Sequence, residues 1–313
     1  MATGGLFLYR ALEQHLPNIL GRRYRELYFE NGSVIPTIAD LEPGAAEVVR
    51  DTVDEVGDAD IIGDGAFDIP IVDISASEDR YKTFMIASGF SFTFQQERAY
   101  EFANKNTQIL DRKMKLARRS IAERHNRIAA YGDARLGVTG FVNNAAVALN
   151  NSSFNPNTAT EDDLQGFFVD ELKAAHRNSN NVEMPMDVLI PSGLYFQLIR
   201  KRIPNTSMTV LTYIKEALSQ EGVNFNIMKC LECDSANLEA RGVQAGGTNK
   251  DRIIFYTKDP DVVERHIELP QLMSNDWVTV KDGRRVYPMF SCTTQTIINY
   301  PGAFRYSDVT KVA

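Results

Sequence analysis

The chain has 313 residues, 43% hydrophobic and 24% charged, the balance of a folded globular protein and not of a disordered or fibrous one. That length suits two compact lobes, or one core with extended arms. A net charge of −7 excludes a protein whose main task is to grip nucleic acid with a basic surface. Cys230, Cys233 and Cys292 are too few and odd in number for a disulfide framework, which points to a reducing cytoplasm. The opening MATGGLFLYRALEQHL has no basic segment ahead of a long apolar one, so no signal peptide is read. No stretch approaches the roughly 20 apolar residues of a membrane span.

In chain order, Leu6–Tyr28 predicts a helix carrying Arg22, Arg23 and Arg25, broken by Asn31-Gly32 and Pro36. Residues 45–90 change character. Glu47, Asp51, Asp54, Glu55, Asp58, Asp60 and Asp64 crowd among glycines, followed by strand-like pieces at Ala66–Ile74 and Tyr81–Thr93. So acidic a stretch does not bury a core of its own and reads as a long two-stranded excursion from the body. From Gln95 to Tyr131, the residues Ala103, Leu110, Met114, Ala117, Ile121 and Ile128 recur at helical spacings with no glycine or proline. That predicts a spine helix about 50 Å long.

Beyond Gly132 helices and strands alternate, as in an α/β lobe. Thr160–His176 predicts a helix with Thr160 as its N-cap, and Asp162 and Asp163 in its first turn. Asp187–Ile190, Phe225–Leu231 and Asp251–Thr257 read as strands. Ser192 is expected to cap a helix through Arg202, and Thr209–Gln220 forms another. Near the end, Asp282-Gly283 between Val278–Val280 and Arg285–Tyr287 is a hairpin signal, and Thr293–Tyr300 alternates until Pro301-Gly302. No fixed-period repeat or low-complexity tract occurs.

Motifs for chemistry are weak throughout. Cys230-Leu-Glu-Cys233 has knuckle spacing, but a zinc site needs two more ligands and there is no second such pair. The run Asp58–Gly65 faintly resembles a calcium loop, yet Ile62 and Ile69 stand where oxygen ligands belong. Gly242, Gly246 and Gly247 lack the lysine and hydroxyl of a phosphate loop. The histidines His15, His125, His176 and His266 are scattered, and no nucleophile elbow occurs. No catalytic residue, cofactor or metal is therefore expected. The one concentrated positive feature is Arg112, Lys113, Lys115, Arg118 and Arg119, continuing to Arg124 and Arg127. Without interleaved aromatics it is either a solvated helix face or a sequence-blind contact for nucleic acid.

Several short stretches carry a resemblance. They are Gln95-Gln96-Glu97 at the head of the spine helix, Gly137-Val-Thr-Gly140-Phe141-Val-Asn143 after it, and Asp187-Val-Leu-Ile-Pro191 before a helix with Tyr195. Asn205–Ile214, Asp251-Arg-Ile-Ile-Phe-Tyr256 and Leu269-Pro270 complete the set. In this order, from about residue 45 to 306, they resemble the major capsid proteins of tailed bacteriophages and the related encapsulin shells. The resemblance implies an α+β fold of the Hong Kong 97 type. Residues 1–44 would be an N-terminal arm, 45–93 an extended β-hairpin loop, and 94–136 a peripheral domain with the spine helix. Residues 137–250 would be an axial α/β domain, and 251–313 strands returning to both.

It further implies a non-enzymatic subunit that self-assembles into hexamers and pentamers of an icosahedral head around double-stranded DNA. The assembly would form in the host cytoplasm and end in the virion. Partners would be further copies, a portal, a separate scaffolding protein and cement proteins, with weak DNA contact through Arg112, Lys113, Lys115, Arg118 and Arg119. The acidic residues Asp51, Asp54, Glu55, Asp58, Asp60 and Asp64 are expected to dock on Arg22, Arg23 and Arg25, or on the spine arginines, of adjacent copies. Two alternatives stay open: a cargo-holding encapsulin-like compartment, and an α/β enzyme with the acidic loop as a lid.

Overall fold

The computed structural model describes residues 24–56, 73–102, 106–219, 225–243, 247–272, 278–281 and 283–312. Strands β1 (Glu47–Val56) and β2 (Asp73–Thr93) precede helices α1 (Phe94–Phe102) and α2 (Asn106–Tyr131). Then come β3 (Ala148–Asn151), α3 (Glu161–Asn178), β4 (Asp187–Pro191), α4 (Ser192–Arg200), α5 (Val210–Ser219), β5 (Asn226–Cys230) and α6 (Ser235–Ala240). Strands β6 (Lys250–Tyr256), β7 (Val263–His266), β8 (Thr279–Lys281), β9 (Arg284–Thr294) and β10 (Arg305–Thr310) follow.

One mixed sheet runs β3-β10-β6-β4-β5. Its central strands β4 and β6 carry the apolar runs Val188–Ile190 and Ile253–Tyr256, buried on both faces. Alternation sends Val188, Ile190, Ile253 and Phe255 to one side, against Leu164, Phe168 and Leu172 of α3, Leu194 and Leu198 of α4, and Val210 and Ile214 of α5. Leu189, Ile254 and Tyr256 point to the other side, where Phe29, Ile35, Phe141, Val142 and Phe304 complete a second core. Helix α3 begins as its sequence predicts: the Asp163 N–H donates to Thr160 Oγ1 (3.2 Å), and the Thr160 N–H donates to the Asp163 carboxylate (2.9 Å). Ser192 does not cap α4. Pro191 holds the N-cap position without a side-chain cap, and the Asp234 carboxylate accepts from the Ser192 N–H at 2.8 Å instead.

A second sheet is built on β2, whose 21 residues extend about 70 Å. Its later half, Thr83–Thr93, pairs with β9, and its earlier half, Asp73–Lys82, pairs with β1. Phe90, Phe92 and Met289 of this sheet pack on Ala117 and Ile121 of α2. At the expected hairpin Lys281 stands opposite Arg284 and Gly283 has φ +71°, while Asp282 lies outside the described residues. The excursion's first strand is β1, inside the acidic run, and not the expected Ala66–Ile74. Of the latter only residues 73 and 74 lie within the description, as the start of β2. The spine is described as α1 and α2, and the 26 residues of α2 span about 39 Å. Residues 24–27 are irregular and 28–35 turn, so the expected helix does not reach Tyr28; its residues before 24 lie outside the described residues. Leu27, Phe29, Val34 and Ile35 are core residues at non-helical spacing, and Gly32 at φ +69° makes the turn between them.

Three buried polar joints connect these parts. Arg252 donates to both carboxylate oxygens of Asp308 (2.8 and 2.9 Å) and to the Val142 carbonyl (2.7 Å), closing β6 onto β10 and the segment after α2. Glu171 of α3 accepts from Asn150, Arg305 and Ser307. Around Glu30, the fully buried Arg265 donates to its carboxylate (2.9 Å) and to the His125 carbonyl (3.3 Å). The His125 ring spans Glu30 (3.3 Å) and Ser291 (3.1 Å).

Burial raises the Glu30 carboxyl, but the His125 hydrogen bond and the Arg265 charge outweigh it and hold it below its ordinary value of 4.5. Its contribution to stability is therefore complete above pH 4.5 and is lost as pH falls through the lower folded value. Glu30→Gln leaves Arg265 buried without its counterion and should cost about 3 kcal/mol. Thermal unfolding of the dispersed variant at pH 7 should show a lowered Tm. Its acid limb should be flatter than that of the parent.

Gly140 supplies a second test. A Cβ there would meet the Ala130 carbonyl carbon and oxygen and the Gly132 nitrogen at 2.5 Å, all backbone atoms. At Gly137, φ is +68° but nothing lies within 4 Å. Gly140→Ala should abolish folding to soluble protein, while Gly137→Ala costs only about 1 kcal/mol of left-handed strain. Urea denaturation beside soluble yield distinguishes the two.

Candidate assembly surfaces

The excursion is a two-stranded ladder from Glu47↔Lys82 to Val56↔Asp73, with no third strand among the described residues. Both of its faces meet solvent, and Val49, Val53 and Ile74 are about half or more exposed. An isolated hairpin is marginally stable in water. The contacts made at its base include the Arg50 ion pair with the buried Glu264 and the Thr83 hydroxyl bonded to the Ala45 carbonyl. Asp51 is exposed on this ladder and Asp54 and Glu55 lie on the same strand, while Asp58, Asp60 and Asp64 lie outside the described residues.

The basic helix residues divide into two groups. Lys113 turns inward: its ammonium donates to the Ser91 carbonyl (2.6 Å) and sits 3.9 Å from the Phe92 ring centroid, and burial lowers its pKa. Arg119 is also engaged, by Glu123 (2.9 Å), by the Arg25 carbonyl (2.6 Å) and over the Tyr24 ring. Arg112, Lys115 and Arg118 are exposed along the same helix. Arg25 is half exposed, 3.8 Å from the buried Glu232. Arg22 and Arg23 lie outside the described residues. Helix α2 thus brings the lysines and arginines onto one element, and the acidic strand lies on another.

Among the described residues, the groups closest to a catalytic arrangement are buried. Cys230 and Cys233 are both fully buried, and their mutual hydrogen bond, then burial, hold the Cys230 thiol well above its ordinary value. Burial, then Glu268, push Cys292 up to about 11. Neither thiol is a nucleophile at neutral pH. Ser291, His125 and Glu30 stand in the order of a hydrolytic triad, which the sequence could not reveal because they are spread over 261 positions. The Ser291 hydroxyl, however, donates to the Glu268 carbonyl, and Ser291 and His125 have no exposed surface. This is a core hydrogen-bond network, since a nucleophile needs both a base to take its proton and room for a substrate. Among the described residues no group of acidic, histidine and cysteine side chains could hold a metal. No described helix is long and apolar enough to cross a membrane.

The Gly137–Asn143 stretch has a mechanical role. Gly137 ends a short 3-10 turn, Gly140 passes against the end of α2, and Phe141 is buried in the second core. Asn143 accepts from the Gly140 N–H (2.7 Å) and donates to the Tyr131 carbonyl (3.1 Å), sealing the helix end.

Among solved structures, "The capsid of Myoviridae Phage XM1" matches with a TM-score of 0.76 at 16% identity, covering 98% of this chain and 99% of that one. "Capsid of empty GTA particle computed with C5 symmetry" matches at 0.63 and 10% identity, covering 99% and 98%. A chain of Mycobacterium phage Bobi matches at 0.61 and 12% identity, covering 96% and 95%. At such identities these matches establish the fold, which is of the Hong Kong 97 type. No curated protein matches the chain. The family model of the major capsid protein matches residues 57–309, which takes in the excursion's return strand, the helix α2 and the strands of both sheets other than β1. By that match the chain belongs to the major capsid protein family and is a structural subunit of a viral capsid.

Proposed function

We propose that the chain self-assembles into hexamers and pentamers of an icosahedral phage head enclosing double-stranded DNA, without enzymatic activity. The observation that carries this reading is the β1–β2 ladder of ten residue pairs, whose residues 51–53 and 74–80 are exposed on both faces. Ordering each such residue costs about 1–2 kcal/mol of backbone entropy, and the ladder covers no apolar core that would offset it. A surface on another copy supplies what is missing, and a head-to-tail contact repeated by rotation closes into rings.

In this reading residues 1–44 are the N-terminal arm and 45–93 the extended loop. Residues 94–136 form the peripheral domain with its spine, 137–250 the axial domain, and 251–313 strands returning to both. The β3-β10-β6-β4-β5 sheet with its three helices would then be the axial body. The acidic run from Asp51 through Asp54, Glu55, Asp58 and Asp60 to Asp64 docks on basic residues of a neighbouring copy. Candidates are Arg22, Arg23, Arg25 and the exposed Arg112, Lys115 and Arg118. Arg112, Lys115 and Arg118 are also the surface for weak contact with DNA, beside Lys113 and Arg119 where their intrachain bonds allow. A portal, a separate scaffolding protein and cement proteins would complete a head assembled in the host cytoplasm.

Negative-stain microscopy of the purified chain tests the whole reading. Closed shells hundreds of ångströms across are expected, and a small discrete oligomer would refute it. DNA inside shells recovered from infected cells separates a phage head from a compartment filled with cargo protein. For the docking itself, Asp51→Lys combined with Asp54→Lys and Glu55→Lys should lower assembly yield at least severalfold at low salt. The loss should shrink as salt screens the new repulsion. Unchanged yield and salt sensitivity would remove the electrostatic part of the proposal.

A further inference from the structure

At the C-terminal end of α2 the chain doubles back through the Gly132–Asp133 and Val138–Thr139 pairing. With the Arg241-Gly242 turn after α6 this encloses a cavity of about 690 Å³ lined by Arg124, Arg127, Arg135 and Arg241. Four guanidiniums there face a single carboxylate, Asp133, which already pairs with Arg124 and accepts the Arg135 N–H (3.0 Å). Among the described residues, neither Arg127 nor Arg241 has a carboxylate within ion-pairing distance. Burial, then the positive charges of Arg241, Arg124 and Arg25, lower the pKa of Arg127, and Glu123 opposes this only in part.

Like charges gathered in a concavity without counterions are held against their own repulsion. They recover that cost when an anion carrying more than one donor-accepting oxygen enters.

We infer that this cavity is a phosphate-binding site that takes the backbone of double-stranded nucleic acid, with Arg127 and Arg241 as its two forks. The inference rests on the capsid reading, which places such a polyanion beside the subunit, and it names a site apart from the exposed helix row. Carboxylates of a second copy fit less well. By strand register the acids of β1 fall at positions 47, 51 and 55 on one face, about 13 Å apart, with Asp54 at an intervening position, so one cavity receives only one. Phosphates crowd far more densely, at one charge per about 3.4 Å of axis on each strand. From Arg127 back to Arg112 the helix spans about 22 Å. Arg112, within about 60° of Arg127 around the helix axis, and Lys115 beside it can therefore follow the same backbone for about six base pairs, while Arg118 lies on the far side of the helix. Such contacts position the duplex and read no sequence.

The test uses full-length protein and a fluorescein-labelled 20-base-pair duplex, with inorganic pyrophosphate and a peptide of residues 47–64 as separate probes. Arg127→Gln combined with Arg241→Gln should weaken duplex binding about tenfold at low salt. It should reduce the slope of log affinity against log salt by about 2, one contact for each arginine, and end competition by pyrophosphate. Both side chains are exposed, and microscopy of the variant should show shells as for the parent. Unchanged duplex affinity and slope in a shell-forming variant overturn this inference and leave the capsid reading standing. Failure of the parent chain to form shells overturns the capsid reading itself. Loss of peptide binding with duplex binding intact assigns the cavity to a second copy and overturns the inference. Pyrophosphate binding without duplex binding overturns its nucleic-acid source.

Discussion

A guanidinium with no exposed surface must find its counterion inside the protein, and Arg265 finds Glu30, 235 positions earlier in the chain. The cost of desolvating that charge is several kcal/mol, so the pairing fixes where the segment around Glu30 can lie. Phe29 then has one place to go, its N–H bonded to Asn126 (3.0 Å) and its ring edge-on to Phe141. Asn126 in turn donates to Glu232, and Tyr131 bonds the Glu232 carbonyl. One polar chain thus joins the segment before the excursion, the end of α2, the turn after β5 and strands β7 and β9. A purely apolar joint would hold these parts with less angular definition, because packing alone tolerates sliding where hydrogen bonds do not. For a subunit that must repeat the same geometry in every copy, that definition matters more than the modest net stability of buried ion pairs.

The second constraint is covalent. Strand β2 serves two ladders end to end, and the half paired with β9 is anchored by Phe90 and Phe92 on α2. Rigidity built in that core passes along the same backbone into the exposed half. An excursion carried this way projects in a set direction even though it buries little, so less entropy remains to be lost when a neighbour receives it.

The parts legible in the sequence were those fixed by local chemistry. Thr160 with Asp163 announced α3, the stretches 187–190 and 251–257 read as strands, and Asp282-Gly283 announced the hairpin that pairs Lys281 with Arg284. Gly140 and Asn143 were visible as a motif, though only the structure shows that one permits and the other seals the end of α2. What escaped was set by partners distant in the chain. β10 reads as a polar stretch, Arg-Tyr-Ser-Asp-Val-Thr, and is a buried strand because Arg252 and Glu171 satisfy Asp308 and Ser307. β1 is acidic and half exposed, a strand by pairing with β2 and not by any hydrophobic face. The basic helix row was legible as residue type, yet the diversion of Lys113 and Arg119 to intrachain partners was not.

The charge arrangement bears on how an acidic chain could make the proposed contact with DNA. A net charge of −7 keeps copies apart in solution and keeps the wall as a whole from adhering to its contents. Seven acids crowd into the run from Glu47 to Asp64, while Lys115, Arg118 and Arg127 of α2 and Arg241 are exposed elsewhere on the chain. Screening within about 10 Å at ordinary salt means that each region acts on what it touches and not on the average. Under the proposed function, separation of charge within one chain would let the same subunit attract its neighbour through one surface and a polyanion through another. Neither contact requires the protein to be basic overall, and both weaken with salt, the DNA contact in proportion to the phosphates engaged.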